Sequence, residues 1–162
     1  MPQVFVSIGS NIDREHHIRT AVAELRERGR LTLSGVYESA PIGFCGNNFY
    51  NLVVGFETDT PVLALCNRLA ETEQRHGRVR GTNRFASRTL DLDLLLYGDL
   101  VRQDHLVQIP RPEIMQYAFV LKPLSELAPE LRHPVTGISF GEMWSHFAAR
   151  DQRIWPVTIA HI

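Results

Sequence analysis

The chain lacks most of the features that would place it in a specialised class of proteins. Its only cysteines among 162 residues, Cys45 and Cys66, form neither a CxxC pair nor a zinc-binding spacing. No apolar run approaches the roughly 20 residues that cross a bilayer, and the first residues, MPQVFVSIGSN, do not have the pattern of a secretory signal. We therefore expect a cytoplasmic protein with two reduced, at least half-buried thiols and no membrane contact.

Positive charge is not in excess either. The 17 Lys and Arg residues are matched by 18 Asp and Glu residues, which gives a formal net charge of -1. Such a chain creates no general field that attracts nucleic acid or anionic lipid, so we expect no nucleic acid as a partner. The sequence leaves open whether the protein is a monomer or a dimer.

Several common catalytic motifs are also missing. The sequence has no GxxxxGK[ST] loop, no HExxH and no GxSxG, and the early IGSN is not GxGxxG. A P-loop, a zinc-protease helix, a nucleophile elbow and a Rossmann site are therefore unsupported.

The hydrophobic pattern that is present predicts an α+β fold. Residues 4–9, 31–39, 50–58 and 88–99 have strand composition. Two predicted amphipathic helices lie between these strands. The first has apolar residues at helical spacing at Ile18, Ala21, Val22 and Leu25. The second begins at Thr60-Pro61 and has the same spacing at Val62, Leu65, Cys66 and Leu69. The order β-α-β-β-α-β is that of the ferredoxin-like split βαβ sandwich.

The remainder predicts a C-terminal helical extension on that frame. Residues 106–110 suggest a short strand, residues 112–130 a helix interrupted at Pro123, and residues 139–150 a helix with a capping box. We treat 1–162 as one domain and 135–162 as a divergent extension packed on it. The tail IWPVTIAHI is either a strand that pads the sheet or a segment that meets a partner.

Two carboxylates occur in the strand RTLDLDLLLYGD. Side chains at i and i+2 share a face, so Asp91 and Asp93 point the same way while Leu92 and Leu94 point to the other face. Such a pair can ligate Mg²⁺, although a solvated acidic face is the alternative.

An arginine-rich loop precedes this strand and makes the metal hypothesis stronger. Arg78, Arg80, Arg84 and Arg88 fall within 11 residues, and guanidinium groups bind phosphate bidentately. Arginines beside a two-Asp metal site are what phosphoryl transfer needs, although one or two of them could instead pair with acidic side chains. Earlier in the chain, Phe49 and Asn51 offer a stacking face and an amide for a heterocycle, unless Asn51 is simply a turn residue.

These motifs together resemble the 6-hydroxymethyl-7,8-dihydropterin pyrophosphokinase family. The matching stretches are SIGSN, YESAPIG, FYN, GRVR, RTLDLDLLLYG and IPRP with AFVLKPLSELAP. The resemblance covers roughly residues 4 to 134 in the family order. The resemblance implies transfer of the pyrophosphoryl group of ATP to the pterin hydroxymethyl group, with release of AMP, in folate biosynthesis.

The resemblance also implies a role for each site residue. Two Mg²⁺ ions would sit on Asp91 and Asp93, with Arg78 and Arg88 as catalytic phosphate ligands. The pterin would be bound by Ser39, Ile42, Phe49, Asn51 and Phe119, and ATP, the co-substrate, by Glu73, Arg80, Arg84 and Arg111.

Two positions depart from the family pattern. Arg111 stands where the family usually has His, and Tyr117 where it usually has Arg, so Arg111 is hypothesised to replace the charge missing at 117. These departures keep open a divergent paralogue that binds nucleotide or pterin with weak turnover or an altered pterin preference. An RNA-binding module is a poorer alternative because the strands carry no paired aromatics on a basic sheet.

Overall fold

The structure, a computed structural model, describes residues 1–77, 89–148 and 151–162. These residues contain eight strands and five helices. In chain order they are β1 (Gln3–Ser10), α1 (Arg14–Arg26), β2 (Thr32–Leu33), β3 (Val36–Ser39), β4 (Phe49–Glu57), α2 (Val62–Arg75), β5 (Asp91–Tyr97), β6 (Arg102–Gln103), β7 (Gln108–Ile109), α3 (Glu113–Gln116), α4 (Ala118–Leu127), α5 (Phe140–Ser145) and β8 (Ile154–Val157).

The main sheet is antiparallel at every pairing among the described residues. Its strands lie in the order β5-β1-β4-β3-β8, and the short β2 also pairs with β4, while β6 and β7 form a separate two-stranded ribbon. The expected α+β class is confirmed, with helices packed on an antiparallel sheet. Residues 31–39 form two short strands rather than one, because the chain leaves the ladder at Ser34, whose hydroxyl accepts a hydrogen bond from the Val53 amide at 2.9 Å.

One face of the sheet is covered by α1 and α2. The four residues predicted to line the inner side of α1, Ile18, Ala21, Val22 and Leu25, are all buried. They contact a core that includes Ile8, Leu52 and Leu92 from the three neighbouring strands β1, β4 and β5. Helical spacing therefore predicted this layer correctly, because burial of the repeated positions is what stabilises an amphipathic helix.

The opposite face is covered by α3, α4 and α5. Phe5, Val53 and Leu96 from the strands pack here against apolar side chains of the helices, among them Leu121, Leu124 and Phe140. β8 extends this sheet at its edge by pairing with β3, so Ile154–Val157, the first part of the tail, is a strand that pads the sheet.

The helix expected over residues 112–130 breaks at a different residue from the one predicted. Pro123 lies inside α4 and is buried, whereas the break falls at Tyr117, whose φ of -123° and ψ of 128° are extended. Burial of the apolar side of α4 outweighs the backbone hydrogen bond that a proline cannot donate. The last helix is shorter than predicted, but Ser139 caps it as expected, with its hydroxyl accepting from the Glu142 amide at 3.3 Å.

Two further expectations have mixed outcomes. Both cysteines are free thiols, but Cys45 is exposed, so the expectation that both are at least half-buried is wrong for it. Cys66 is partly buried, and burial raises the pKa of its thiol.

In the part of the chain that the structure describes, none of the helices is long and apolar enough to traverse a bilayer.

Candidate active site

Polar side chains meet where β5, β1 and β4 lie side by side. Gly9 of β1 pairs with Asp91 on one side and with Asn51 on the other, and Ser7 pairs with Asp93 in the next row. Residues paired across antiparallel strands project to the same face. Both carboxylates and the Asn51 amide therefore face the α4 side of the sheet.

Strand β1 opens a hollow between these groups. Its side chains on this face become smaller from Phe5 to Ser7 to Gly9. The surface of the sheet is therefore lower at Gly9, between the carboxylates and the Asn51 amide. A Cβ placed on Gly9 would lie 3.5 Å from Asn51 Oδ1 and 3.9 Å from Phe49 Cδ1. The absent side chain therefore leaves space bordered by Asn51 and Phe49.

Asn51 is held in one orientation by the neighbouring strand. Its Nδ2 donates to Ser39 Oγ at 2.8 Å and to the Tyr37 carbonyl at 3.1 Å, and the residue is 5% exposed. Both amide hydrogens are thus used within the sheet, so Oδ1 is the atom that would accept a hydrogen bond from a ligand. The structure brings together Ser39 and Asn51, two of the residues expected to bind the pterin, and Asn51 is a strand residue rather than a turn residue.

Phe49 borders the hollow, and Phe119 belongs to α4, the helix that packs on this face of the sheet. Phe49 makes an edge contact with Phe44, their ring centroids 6.2 Å apart. Phe119, in the first turn of α4, stacks on Tyr117 with a centroid distance of 5.1 Å and an interplanar angle of 15°. One face of the Phe119 ring is therefore covered by Tyr117, so a ligand can stack only on the other face.

The carboxylates of β5 lie in a strongly acidic environment. Burial, followed by the charge of Asp91, raises the pKa of Asp93 to about 7, with Glu73 and Glu113 adding to the effect and Arg111 opposing it. Glu73 is fixed at the outer edge of β5, where its Oε2 accepts from the Leu92 amide at 2.9 Å. The site therefore favours binding of a cation or the approach of a positively charged side chain.

Arg111 brings part of that charge. Its backbone amide donates to the Leu95 carbonyl at 3.0 Å, which aligns the residue along the outer edge of β5. Nη2 then lies 3.4 Å from Asp93 Oδ1, and Nε lies 2.9 Å from Glu113 Oε2. Burial by itself lowers the pKa of Arg111, but the two carboxylates outweigh it and raise that pKa above its ordinary value, so the side chain stays charged.

The oxygen donors present fit a hard divalent cation. Among the described residues, no group of three or more His, Cys, Asp and Glu side chains is arranged to hold a metal. Asp91 and Asp93 nevertheless match the one or two carboxylates that Mg²⁺ uses when phosphate oxygens complete its coordination. In the same part of the chain, the buried Thr89 hydroxyl, two residues before Asp91, has no hydrogen-bond partner and could add an oxygen.

Some predicted site residues are not brought together here. Ile42 lies in the loop after β3 and is 37% exposed. Arg78, Arg80, Arg84 and Arg88 lie outside the described residues. Sequence reasoning did not assign Gly9, although its motif SIGSN was noted, because only the strand register shows that it lies between Asp91 and Asn51.

Three comparisons relate the chain to known proteins. Residues 5–129 match the family described as 7,8-dihydro-6-hydroxymethylpterin-pyrophosphokinase (HPPK). The chain is 34% identical over 139 residues to the 2-amino-4-hydroxy-6-hydroxymethyldihydropteridine pyrophosphokinase of Haemophilus influenzae, covering 83% of this chain and 86% of that protein. It is 33% identical over 152 residues to the folic acid synthesis protein fol1 of Pneumocystis carinii, covering 91% of this chain.

A solved structure shares the fold. A triple mutant of Plasmodium falciparum HPPK-DHPS superimposes with a TM-score of 0.74 at 14% identity, over 92% of this chain. The chain spans only 20% of the length of the fungal relative and 42% of the length of that solved chain.

Proposed function

The chain belongs to the 7,8-dihydro-6-hydroxymethylpterin-pyrophosphokinase family, and on that premise we propose that it pyrophosphorylates 6-hydroxymethyl-7,8-dihydropterin. ATP is the donor, AMP is the product that leaves, and the step belongs to folate biosynthesis. The observation that carries the proposal is the strand register that pairs Gly9 with Asp91 on one side and with Asn51 on the other, so that a carboxylate and an amide lie on either side of one hollow.

The fold proposed for this activity is the ferredoxin-like split βαβ sandwich. It is supported by the element order β1-α1-β3-β4-α2-β5 and by a sheet in which β1 and β4 are central. We treat residues 1–162 as one domain, with 135–162 as the extension. In support, α5 packs on α4 and β8 pairs with β3.

Asp91 and Asp93 are the residues that would hold Mg²⁺, with two ions expected from the family resemblance. When bound, the cation supplies charge neutralisation for the phosphate oxygens. The two aspartates themselves bind and orient, because their position on the rigid strand β5 fixes where the polyphosphate is held relative to the hollow. Arg111 adds a guanidinium at the same edge, and Arg78, Arg80, Arg84 and Arg88 are proposed to add others.

The pterin would lie in the hollow over Gly9. Asn51 Oδ1 accepts from a ring or amino N–H of the heterocycle, and the Asn51 side chain cannot turn away because Ser39 and the Tyr37 carbonyl hold its Nδ2. Phe49 and the free face of Phe119 supply stacking surfaces. Ile42 is proposed to lie at the rim of the pterin side of the site, and Glu73 at the rim of the nucleotide side.

In the reaction the hydroxymethyl oxygen forms a bond to the β-phosphorus of ATP. The bond between that phosphorus and the oxygen bridging to the α-phosphate breaks, AMP leaves with that oxygen, and the hydroxyl proton goes to solvent. The protein contributes positioning and electrostatic stabilisation, which dominate catalysis of phosphoryl transfer.

The proposal is tested by measuring AMP release with ATP, Mg²⁺ and 6-hydroxymethyl-7,8-dihydropterin. Asp91→Asn and Asp93→Asn should each lower kcat by about 100-fold or more, because each removes charge stabilisation at the reacting phosphates. Asp99→Asn is the matched control, since Asp99 is exposed in the turn that follows β5.

Two outcomes would contradict parts of the proposal. A near-normal rate in either aspartate variant would refute the metal assignment while leaving the activity in place. Tight binding of ATP or pterin without AMP release by the wild-type protein would instead favour the weakly active paralogue.

A further inference from the structure

The break between α3 and α4 determines where the Phe119 ring lies. Tyr117 is the extended residue at the break, and its carbonyl accepts from the amides of Val120 and Leu121 at 3.1 and 3.0 Å to start α4. The stacked rings of Tyr117 and Phe119 project from this junction. Any change in the angle between the two helices therefore moves the aromatic pair.

One side chain from the far end of the sequence spans this break. Gln152 Oε1 accepts from the Ala118 amide at 2.8 Å, and Gln152 Nε2 donates to the Gln116 carbonyl at 2.8 Å. The Ala118 amide is the first N–H of α4, which has no acceptor within its own helix, and no side chain of the break caps it. The Gln152 amide group thus bonds the backbone on both sides of Tyr117.

The same part of the chain is also fixed to the strand β3, which lies beside Asn51. Two residues after Gln152, Ile154 begins β8 and pairs with Ser39, the residue whose hydroxyl accepts from Asn51. We call residues 151–157 the tail segment. It links the strand beside Asn51 to the break that carries Phe119, and it lies beyond residues 5–129, which match the family.

From these contacts we propose that Gln152 is a positioning residue for the pterin pocket. Its two hydrogen bonds across the break fix the backbone from which the Tyr117–Phe119 pair projects, and so fix the ring that is proposed to stack on the pterin. Gln152 acts through the backbone of the break and touches no substrate. This inference rests on the proposed function, because the identity of the stacked ligand comes from it.

The experiment compares Gln152→Ala and Gln152→Glu with the wild-type protein. Glutamate keeps an acceptor for the Ala118 amide but loses the donor to the Gln116 carbonyl, so it separates the two bonds. Arg153→Ala is the control, because Arg153 is an exposed neighbour in the same tail segment. KM for pterin, KM for ATP, kcat and Tm are measured, together with the Kd of 6-hydroxymethyl-7,8-dihydropterin in the absence of ATP.

We expect Gln152→Ala to raise the pterin KM and Kd about tenfold, as the loss of two neutral hydrogen bonds that fix a stacking group would do. Gln152→Glu should fall between wild type and Gln152→Ala, while KM for ATP changes less than about twofold and the control is unaffected.

Other outcomes would overturn the inference. If pterin binding is unchanged in Gln152→Ala while the wild-type protein is active, positioning by Gln152 is refuted and the proposed function stands. If both KM values rise together in proportion to a loss of Tm, the role of Gln152 is only structural. If the wild-type protein neither binds the pterin nor releases AMP, the proposed function fails and this inference fails with it.

Discussion

The guanidinium of Arg111 lies 3.4 Å from the carboxylate of Asp93, at the outer edge of β5. The side chains are 34% and 27% exposed, so both remain accessible to a ligand. The pairing makes Arg111 part of the charged end of the hollow. It supports the hypothesis that Arg111 supplies the charge that the family usually carries where this chain has Tyr117.

Replacing Arg111 should weaken ATP binding. We expect Arg111→Ala to raise KM for ATP about 10- to 100-fold, because charge-assisted hydrogen bonds contribute more than neutral ones. Arg111→Lys should recover only part of the loss, since lysine keeps the charge but not the planar fork. Steady-state kinetics with Arg28→Ala, an exposed arginine just after α1, as control check this; unchanged ATP affinity and turnover would refute it.

Replacing Asn51 should weaken pterin binding more than ATP binding. Asn51→Leu removes Oδ1 from the hollow and leaves the Ser39 hydroxyl and the Tyr37 carbonyl without their donor. We expect the pterin Kd to rise at least about tenfold and the protein to lose some stability. Calorimetric titration with each ligand separates the two effects, with the exposed Asn67→Ala as control. Equal loss of affinity for both ligands would contradict a specific role in the pterin pocket.

Two glycines should respond in opposite ways to the same substitution. A Cβ on Gly9 meets atoms only at 3.5 Å or more, so Gly9→Ala should fold normally but fill the hollow and raise the pterin KM. A Cβ on Gly55 would lie 2.9 Å from Thr32 Oγ1 and 3.0 Å from Phe5 Cε1. Gly55→Ala should therefore cost about 1–3 kcal/mol in the free energy of unfolding while leaving pterin KM unchanged.

Urea denaturation and pterin kinetics on the two glycine variants check this contrast. A Gly9→Ala protein with normal pterin kinetics would show that the ligand does not enter the hollow over this residue.

His17 should make stability depend on pH. Its Nδ1 lies 2.7 Å from His76 Nδ1, and burial, followed by the charges of His76 and His16, lowers the pKa of His17, with Asp13 opposing. A lowered folded pKa means that the unfolded chain binds the proton more readily. The contribution of His17 is therefore present above its ordinary pKa of 6.5 and is lost as the pH falls through the lowered folded value.

The measurement is urea denaturation between pH 8 and pH 5. The stability difference between wild type and His17→Gln should shrink as the pH falls, while His105→Gln, at an exposed position, should track the wild type. A difference that stays constant over this range would contradict the lowered pKa.

Local periodicity predicted the secondary structure and the orientation of side chains well. The spacing of Ile18, Ala21, Val22 and Leu25 identified the buried side of α1, because a helix repeats every 3.6 residues whatever it packs against. Periodicity also placed Asp91 and Asp93 on one face of β5, with Leu92 and Leu94 on the other. Periodicity did not predict that the helix expected over residues 112–130 is interrupted at Tyr117 rather than at Pro123.

The sequence by itself determined the order β-α-β-β-α-β of the central elements, the family and the residue types that can carry the chemistry, because these depend on short-range pattern and motif. The tertiary structure decided which of those residues meet. Gly9 lies between Asp91 and Asn51 only through strand register, Tyr117 covers one face of Phe119 only through the helix break, and Gln152 reaches that break from 34 residues away. Such contacts arise when the packed core and the sheet bring together segments that are distant in sequence. No local sequence pattern encodes which of these segments will meet.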